Sequence, residues 1–179
     1  MDKITLFDKN FQLYIPASEI SEIISEIADS LNKMYATEKV VFLCVLNGAF
    51  MFFSELIKQI EFNCEISFIK LASYNGTVSN GNAKMLFGLN ENLENKIVII
   101  VEDIIETGLT LDEIKNHIAT KNPKDTVIVS LFHKPEKYKA KSKIDFTGRT
   151  IDNDFIVGFG LDYNGYGRNL KDIYKLYNA

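Results

Sequence analysis

Glu102, Asp103, Glu106, Thr107, Gly108 and Thr110 crowd into one short stretch, Lys96 to Leu111, where the apolar run Ile97-Val98-Ile99-Ile100-Val101 stops abruptly at two acids. Thr107-Gly108-Leu109-Thr110 then leads towards a helix expected from Leu111. A turn of small residues feeding a helix start leaves backbone N–H groups unpaired, and with nearby hydroxyls it suits a phosphate monoester. The adjacent carboxylates suit diol hydroxyls or a hydrated divalent cation. Phosphate at one end, with a polyhydroxylated sugar and Mg2+ at the other, describes a ribose 5-phosphate site. An acidic pair behind a strand also fits a solvated turn; it is the whole pattern in register that favours chemistry.

Other stretches could complete such a site. The run Val40 to Val45 ends in Leu46-Asn47-Gly48-Ala49, whose amides would face the same edge, although by pattern alone a plain tight turn explains it slightly better. Thr126 to Phe132 is a third run and delivers His133 and Lys134. Further on, Phe155 reads by itself as core, Asp162 as a turn acid and Arg168 as a surface ion-pair partner. Ala72 to Asn82 is polar and glycine-punctuated, the character of a lid or a connector. Lys137, Lys139, Lys141 and Lys143 read as a solvated face.

The elements that must position these residues follow from periodicity. Continuous apolar runs without alternation imply strands buried on both faces, hence a parallel sheet flanked by helices, with ligands beyond the carboxyl ends of the strands. Ile20, Ile23, Ile24, Ile27, Leu31 and Met34 recur at three and four, so a helix is expected there with Ser18 as its cap. Phe50, Phe53, Leu56, Ile57 and Ile60 give a second helix, and Leu111, Ile114 and Ile118 a third that stops before Asn122-Pro123. Cys64 to Phe68 alternates, as a strand with one wetter face would, and Met85-Leu86-Phe87 is a short strand. The expectation is one α/β domain spanning 1–179, with the amino-terminal arm and residues 135–154 forming a small cap over the sheet edge.

With 179 residues, 46% hydrophobic and 25% charged, the chain has the make-up of a globular protein with a full core. A formal charge of -4 disfavours general nucleic-acid binding through a basic face. The sequence contains neither a signal core nor an apolar run of about 20 residues, so no membrane span and a cytoplasmic location are expected. Cys44 and Cys64 sit in apolar runs as small hydrophobes, and their separation fits no zinc motif. His117 and His133 lie too far from partners to suggest a histidine-built metal site.

The Lys96 to Leu111 stretch resembles the phosphoribosyl-pyrophosphate signature of type I phosphoribosyltransferases: a hydrophobic strand, an acidic pair and a Thr-Gly-x-Thr loop. With Leu46-Asn47-Gly48, Ser73-Tyr74, Lys134, Phe155 and the block Leu161-Asp162-Tyr163-Asn164-Gly165-Tyr166-Gly167-Arg168, the resemblance extends over nearly the full length to bacterial hypoxanthine (hypoxanthine-guanine) phosphoribosyltransferases. It implies a Rossmann-like α/β fold with a mostly parallel sheet and a hood. It also implies transfer of the 5-phosphoribosyl group from phosphoribosyl pyrophosphate to hypoxanthine, and to guanine, with Mg2+. Homodimers or homotetramers are the assemblies expected from it.

The resemblance assigns roles residue by residue. Glu102, Asp103, Glu106, Thr107, Gly108, Leu109 and Thr110 would bind the phosphoribosyl group, and Glu102 and Asp103 the metal, directly or through water. Asn47, Gly48, Ser73, Tyr74 and Arg168 would meet pyrophosphate. Lys134 would hydrogen-bond the 6-oxo group, Phe155 would stack on the ring, and the carbonyls of Ile156 and Asp162 would accept from a 2-amino group. Glu106 stands where the family usually has Asp, as the base at purine N7, and Asn47 where many relatives carry a basic residue after Leu. In the family that Leu-x peptide can be cis. Rival readings are a xanthine-preferring 6-oxopurine phosphoribosyltransferase and a non-catalytic regulator that senses phosphoribosyl pyrophosphate.

Overall fold

The structure, a computed structural model, describes residues 3–72, 84–87 and 91–177. In chain order it holds β1 (Lys3–Leu6), β2 (Lys9–Ile15), α1 (Ala17–Tyr35), β3 (Val40–Leu46), α2 (Phe50–Ile57), β4 (Cys64–Ala72), β5 (Lys84–Phe87), β6 (Ile97–Ile105) and α3 (Leu109–Ala119). There follow β7 (Asp125–His133), a 3-10 turn (Pro135–Lys137), β8 (Phe146–Thr150), β9 (Ile156–Val157) and β10 (Ile173–Leu176). The main sheet runs β5-β4-β3-β6-β7-β8; every pair is parallel except β4 with the edge strand β5.

The continuous apolar runs are explained by two covered faces. Val40, Phe42 and Cys44 of β3, with Ile97, Ile99 and Val101 of β6, face the core shared with α1 and α2. Val41, Leu43 and Val45, with Val98 and Ile100, face Leu111, Ile114 and Ile118 of α3. Because neighbouring residues on a strand point to opposite faces, a strand covered on both sides has no wet positions and no alternation. Each such side chain contributes about 1.5–3 kcal/mol by its burial. Cys44 is core filler: burial, with the charges of Glu102 and Asp103, pushes its thiol up to about 12.

Several expectations are corrected. Ser18 is not the cap of α1, because the helix begins at Ala17 and the first amide is instead met by a distant acid, Ala17 N–H donating to Asp172 Oδ1 at 2.8 Å. Met34 leaves the buried stripe and is 59% exposed, and α2 ends before Ile60. On β4 the faces are reversed relative to polarity: Ser67 and Ile69 are buried, while Ile66 and Phe68 are more than two-fifths exposed.

The cap also differs. β1 and β2 pair with β10 and β9 in a four-stranded antiparallel sheet, so the amino-terminal arm is joined by the end of the chain. Residues 135–154 contribute no strand to it; β8 instead extends the main sheet, pairing in parallel with β7. A glycine makes this docking possible, since a Cβ at Gly148 would collide with Ile23 of α1 and with the Leu131 carbonyl. An ion pair between Arg149 and Glu19 fastens the same contact.

Candidate active site

β6 carries the acidic pair inside the strand rather than beyond it. Glu102 is registered opposite Ser130 of β7, and Asp103 is buried, its Oδ1 accepting from the Ile104 N–H at 2.9 Å. Burial pushes the Asp103 carboxyl up to about 6, against the pull of that hydrogen bond and of the Arg168 charge. Burial and the neighbouring Asp103 charge push Glu102 well up as well. Two adjacent carboxylates held in a dry setting have strong reason to take a cation, and oxygen donors suit a hard divalent ion. Among the described residues, no three His, Cys, Asp or Glu side chains converge as a metal cluster, so any remaining ligands would come from substrate or water.

The chain then turns through Thr107 and Gly108 into α3. Gly108 has φ +72, a conformation that favours glycine, and it leads directly into Leu109 and Thr110 as the first helical residues. The Gly108 cap offers no side chain, and the Leu109 N–H has only a long contact with the Thr107 hydroxyl at 3.5 Å, so the helix start can turn its amides to an anion. The lysine-rich segment keeps Lys139, Lys141 and Lys143 on a solvated face, as expected, while its backbone is tied down and Lys137 turns inward. Lys139 and Ala140 N–H groups both donate to the Thr107 carbonyl, and Asp112 accepts from the amides of Lys141 and Ser142. Tyr138 donates to the Ser142 carbonyl, and its ring and Ala140 fill the space a Cβ on Gly108 would need.

At the end of β7 the Lys134 ammonium, buried, lies 2.5 Å from Glu106 Oε1. Lys137 reaches the other oxygen, Oε2, at 3.2 Å. Burial pushes the Glu106 carboxyl up, but the hydrogen bonds and charges of Lys134 and Lys137 outweigh it and hold it below its ordinary value. Glu106 is thus a carboxylate at neutral pH. His133 packs edge-on against Tyr138, ring centroids 5.1 Å apart, and burial holds it below its ordinary value.

The turn after β3 meets the same acids. A Cβ on Gly48 would collide with the Asp103 carboxylate, and one on Gly160 would collide with the Gly48 carbonyl. Gly48 is therefore sandwiched between β6 and the 158–168 block, an approach only bare backbone permits. The Leu46–Asn47 peptide is cis. Arg168 spans the block, 2.5 Å from Asp162 Oδ1 and donating to the Gly160 carbonyl at 2.6 Å, while Asp162 Oδ2 accepts from the Gly165 amide. Phe155, 43% exposed, is held edge-on by Tyr163 at 5.8 Å and at a tilt by Phe11 at 6.2 Å, and Tyr163 donates to Asp8 of the amino-terminal hairpin. Ile156 is buried in β9 opposite Lys175. Ser73 and Tyr74 lie outside the described residues.

The phosphoribosyl transferase domain profile matches residues 15–164. The chain belongs to the phosphoribosyltransferase family. This phosphoribosyltransferase is 36% identical over 163 residues to the hypoxanthine-guanine phosphoribosyltransferase of Staphylococcus aureus, covering 90% of this chain and 91% of that one. It is 33% identical over 174 residues to the hypoxanthine-guanine-xanthine phosphoribosyltransferase of Tritrichomonas foetus, covering 97% and 95%. Its fold superimposes on the crystal structure of a hypoxanthine phosphoribosyltransferase from Staphylococcus aureus with a TM-score of 0.88, at 36% identity, over 93% of this chain and 91% of that chain. A hypoxanthine-guanine phosphoribosyltransferase from Bacillus anthracis, with a HEPES molecule in its active site, gives 0.87 at 33% identity over 93% and 97%.

Two site features of this phosphoribosyltransferase escaped the reading of its sequence. Gly160, at φ +99 against the Gly48 carbonyl, was legible only as one of a pair of nearby glycines. Lys137 was read with the solvated lysines. The signal that could have found it is Pro135, which favours the opening of a helical turn, and that turn brings the Lys137 N–H back to the Lys134 carbonyl at 3.2 Å.

Proposed function

We propose that this chain, as a single domain, transfers the 5-phosphoribosyl group of phosphoribosyl pyrophosphate to a 6-oxopurine, hypoxanthine and guanine first, in purine salvage. The observation that carries this is the Lys134–Glu106 pair, an ammonium and a carboxylate 2.5 Å apart at the strand edge. A 6-oxopurine protonated at N7 offers the complement, an acceptor at O6 beside a donor. A 6-amino purine would set a donor against an ammonium that has no acceptor, and would be rejected. The names of the related enzymes point the same way.

In this reading Lys134 fixes O6 and Glu106 accepts the N7 proton as N9 attacks C1 of the ribose with inversion, through an oxocarbenium-like transition state. Phe155 stacks on the base, and the Ile156 and Asp162 carbonyls accept from a 2-amino group. The amides of Gly108 to Thr110, with the Thr107 hydroxyl, take the 5-phosphate. Asn47, Gly48 and Arg168, with Ser73 and Tyr74, hold the leaving pyrophosphate. Glu102 and Asp103 take the ribose hydroxyls and would hold Mg2+, which when bound supplies charge neutralisation at the pyrophosphate. A cytoplasmic dimer or tetramer goes with this reading, and two free cysteines fit a reducing compartment.

The test is initial rates with hypoxanthine, guanine, xanthine and adenine, each with phosphoribosyl pyrophosphate and Mg2+. Hypoxanthine and guanine should lead, with adenine silent. A dominant xanthine rate would move the substrate assignment, and nucleotide formation from none of them would end the enzymatic reading.

A further inference from the structure

The reading of Lys134 and Glu106 leaves a difficulty that Lys137 resolves. In the free protein Lys134 is buried and its ammonium lies on Glu106 Oε1 at 2.5 Å. For a purine to bind, that ammonium must turn to O6 while the carboxylate turns to N7–H, so the ion pair has to open. Glu106 is then a half-exposed side chain with one methylene more than an aspartate, free to rotate away from the ring. A second ammonium already sits on its other oxygen, Lys137 Nζ to Oε2 at 3.2 Å.

We propose that Lys137 is a positioning residue that holds the Glu106 carboxylate while the purine draws Lys134 away from it. The proposal rests on the roles assigned above to Lys134 and Glu106. Lys137 makes no bond to substrate; it acts through Glu106.

The turn is built for this division. The Lys134 N–H donates to the Ile105 carbonyl at 3.0 Å, pinning the start of the turn to the end of β6, and the Lys137 N–H donates back to the Lys134 carbonyl at 3.2 Å. Lys139 and Ala140 then tie the following chain to Thr107, the residue after Glu106. Both ends of the Lys137–Glu106 contact are therefore anchored on one small frame. Each lysine takes one carboxylate oxygen, so removing one ammonium leaves the other in place. With Lys137 absent, Lys134 would be the cation for both Glu106 and O6, and the two would compete. Among the described residues, the charged groups that face Glu106 are these two lysines, both from the chain after β7.

Two measurements on the full-length protein test it, with variants K137M, K137R, E106D and K137M/E106D. The first is a carbon-detected NMR titration of the Glu106 carboxyl in ligand-free protein. K137M should move its midpoint to higher pH and K137R should leave it near the parent value; an unmoved midpoint in K137M overturns the proposal whatever the activity. The second is kcat/KM for hypoxanthine against pH. K137M should lower it roughly 3–10-fold, the scale of a partly exposed ion pair, and move the acid limb upward, with KM for phosphoribosyl pyrophosphate unchanged. K137R should restore most of the loss. In the E106D background the K137M loss should shrink, because the shorter carboxylate stands back from Lys137. An equal loss in both backgrounds would make Lys137 a structural residue and overturn the role. If the parent forms no nucleotide while the titration moves as stated, the fault lies with the proposed reaction and the contact itself stands.

Discussion

Glu106 is the residue on which the chemistry turns, and its environment opposes itself. Burial alone would push the carboxyl up; two ammonium groups reverse that and hold it below its ordinary value. A base kept fully ionised is a weak acceptor until Lys134 leaves it, so binding of the purine both presents the proton and strengthens its acceptor. Charge at this position then matters more than length. Glu106→Gln should lose ~100-fold or more in kcat, within the usual range for a general base, whereas Glu106→Asp should stay within roughly tenfold. Steady-state kinetics on hypoxanthine decide it, and near-parent turnover in the Gln variant would remove Glu106 from the base role. The Gln variant also leaves the buried Lys134 facing an amide, so a far-ultraviolet and thermal comparison belongs beside the rates.

At the scale of elements, what was legible in the sequence is what depends on near neighbours. β3, β6 and β7 are apolar because each face meets a helix, and that leaves a continuous run any window detects. The acids and glycines that follow such runs fall at the carboxyl edge, which made most of the site readable by position. What depends on distant chain was not readable. The reversed faces of β4 follow from which side of the main sheet β3 presents to it, and β8 joins the sheet because Gly148 lets α1 close over it. The start of α1 is the sharpest instance: Ser18 has the local chemistry of a cap, yet Asp172, far along the chain, meets the first amide at 2.8 Å. This joint ties α1 of the main layer to the residue before β10. Asp172→Ala should cost ~0.5–2 kcal/mol, a few degrees in Tm, with Ser18→Ala near neutral. Thermal unfolding of both variants checks this, and equal losses would return the cap to Ser18.

For the molecule as a whole, the buried acids make stability depend on pH in an unusual sense. A carboxyl whose folded value is raised binds its proton more tightly folded than unfolded, so between the two values rising pH strips the unfolded chain first and folding weakens. Asp103, at about 6 against an ordinary value of 3.8, therefore withdraws stability as pH rises from roughly 4 to just above 6, and Glu102 shifts in the same direction. Other acids act oppositely; Asp112, held low by Ser142 against slight burial, withdraws stability as pH falls. The net slope mixes both, so the informative quantity is a difference between variants. Asp103→Asn keeps an oxygen for the Ile104 amide and removes the charge. Without divalent cation the advantage of the Asn variant should grow as pH rises from about 4 to 7, reaching ~1–3 kcal/mol at pH 7.5. Adding Mg2+ at pH 7.5 should raise the Tm of the parent and leave the Asn variant nearly unmoved, since binding to the folded form alone stabilises it. The same pH course in both proteins would mean that Asp103 is not held in a raised state. An equal Mg2+ response in both would place the ion away from the pair that ends β6.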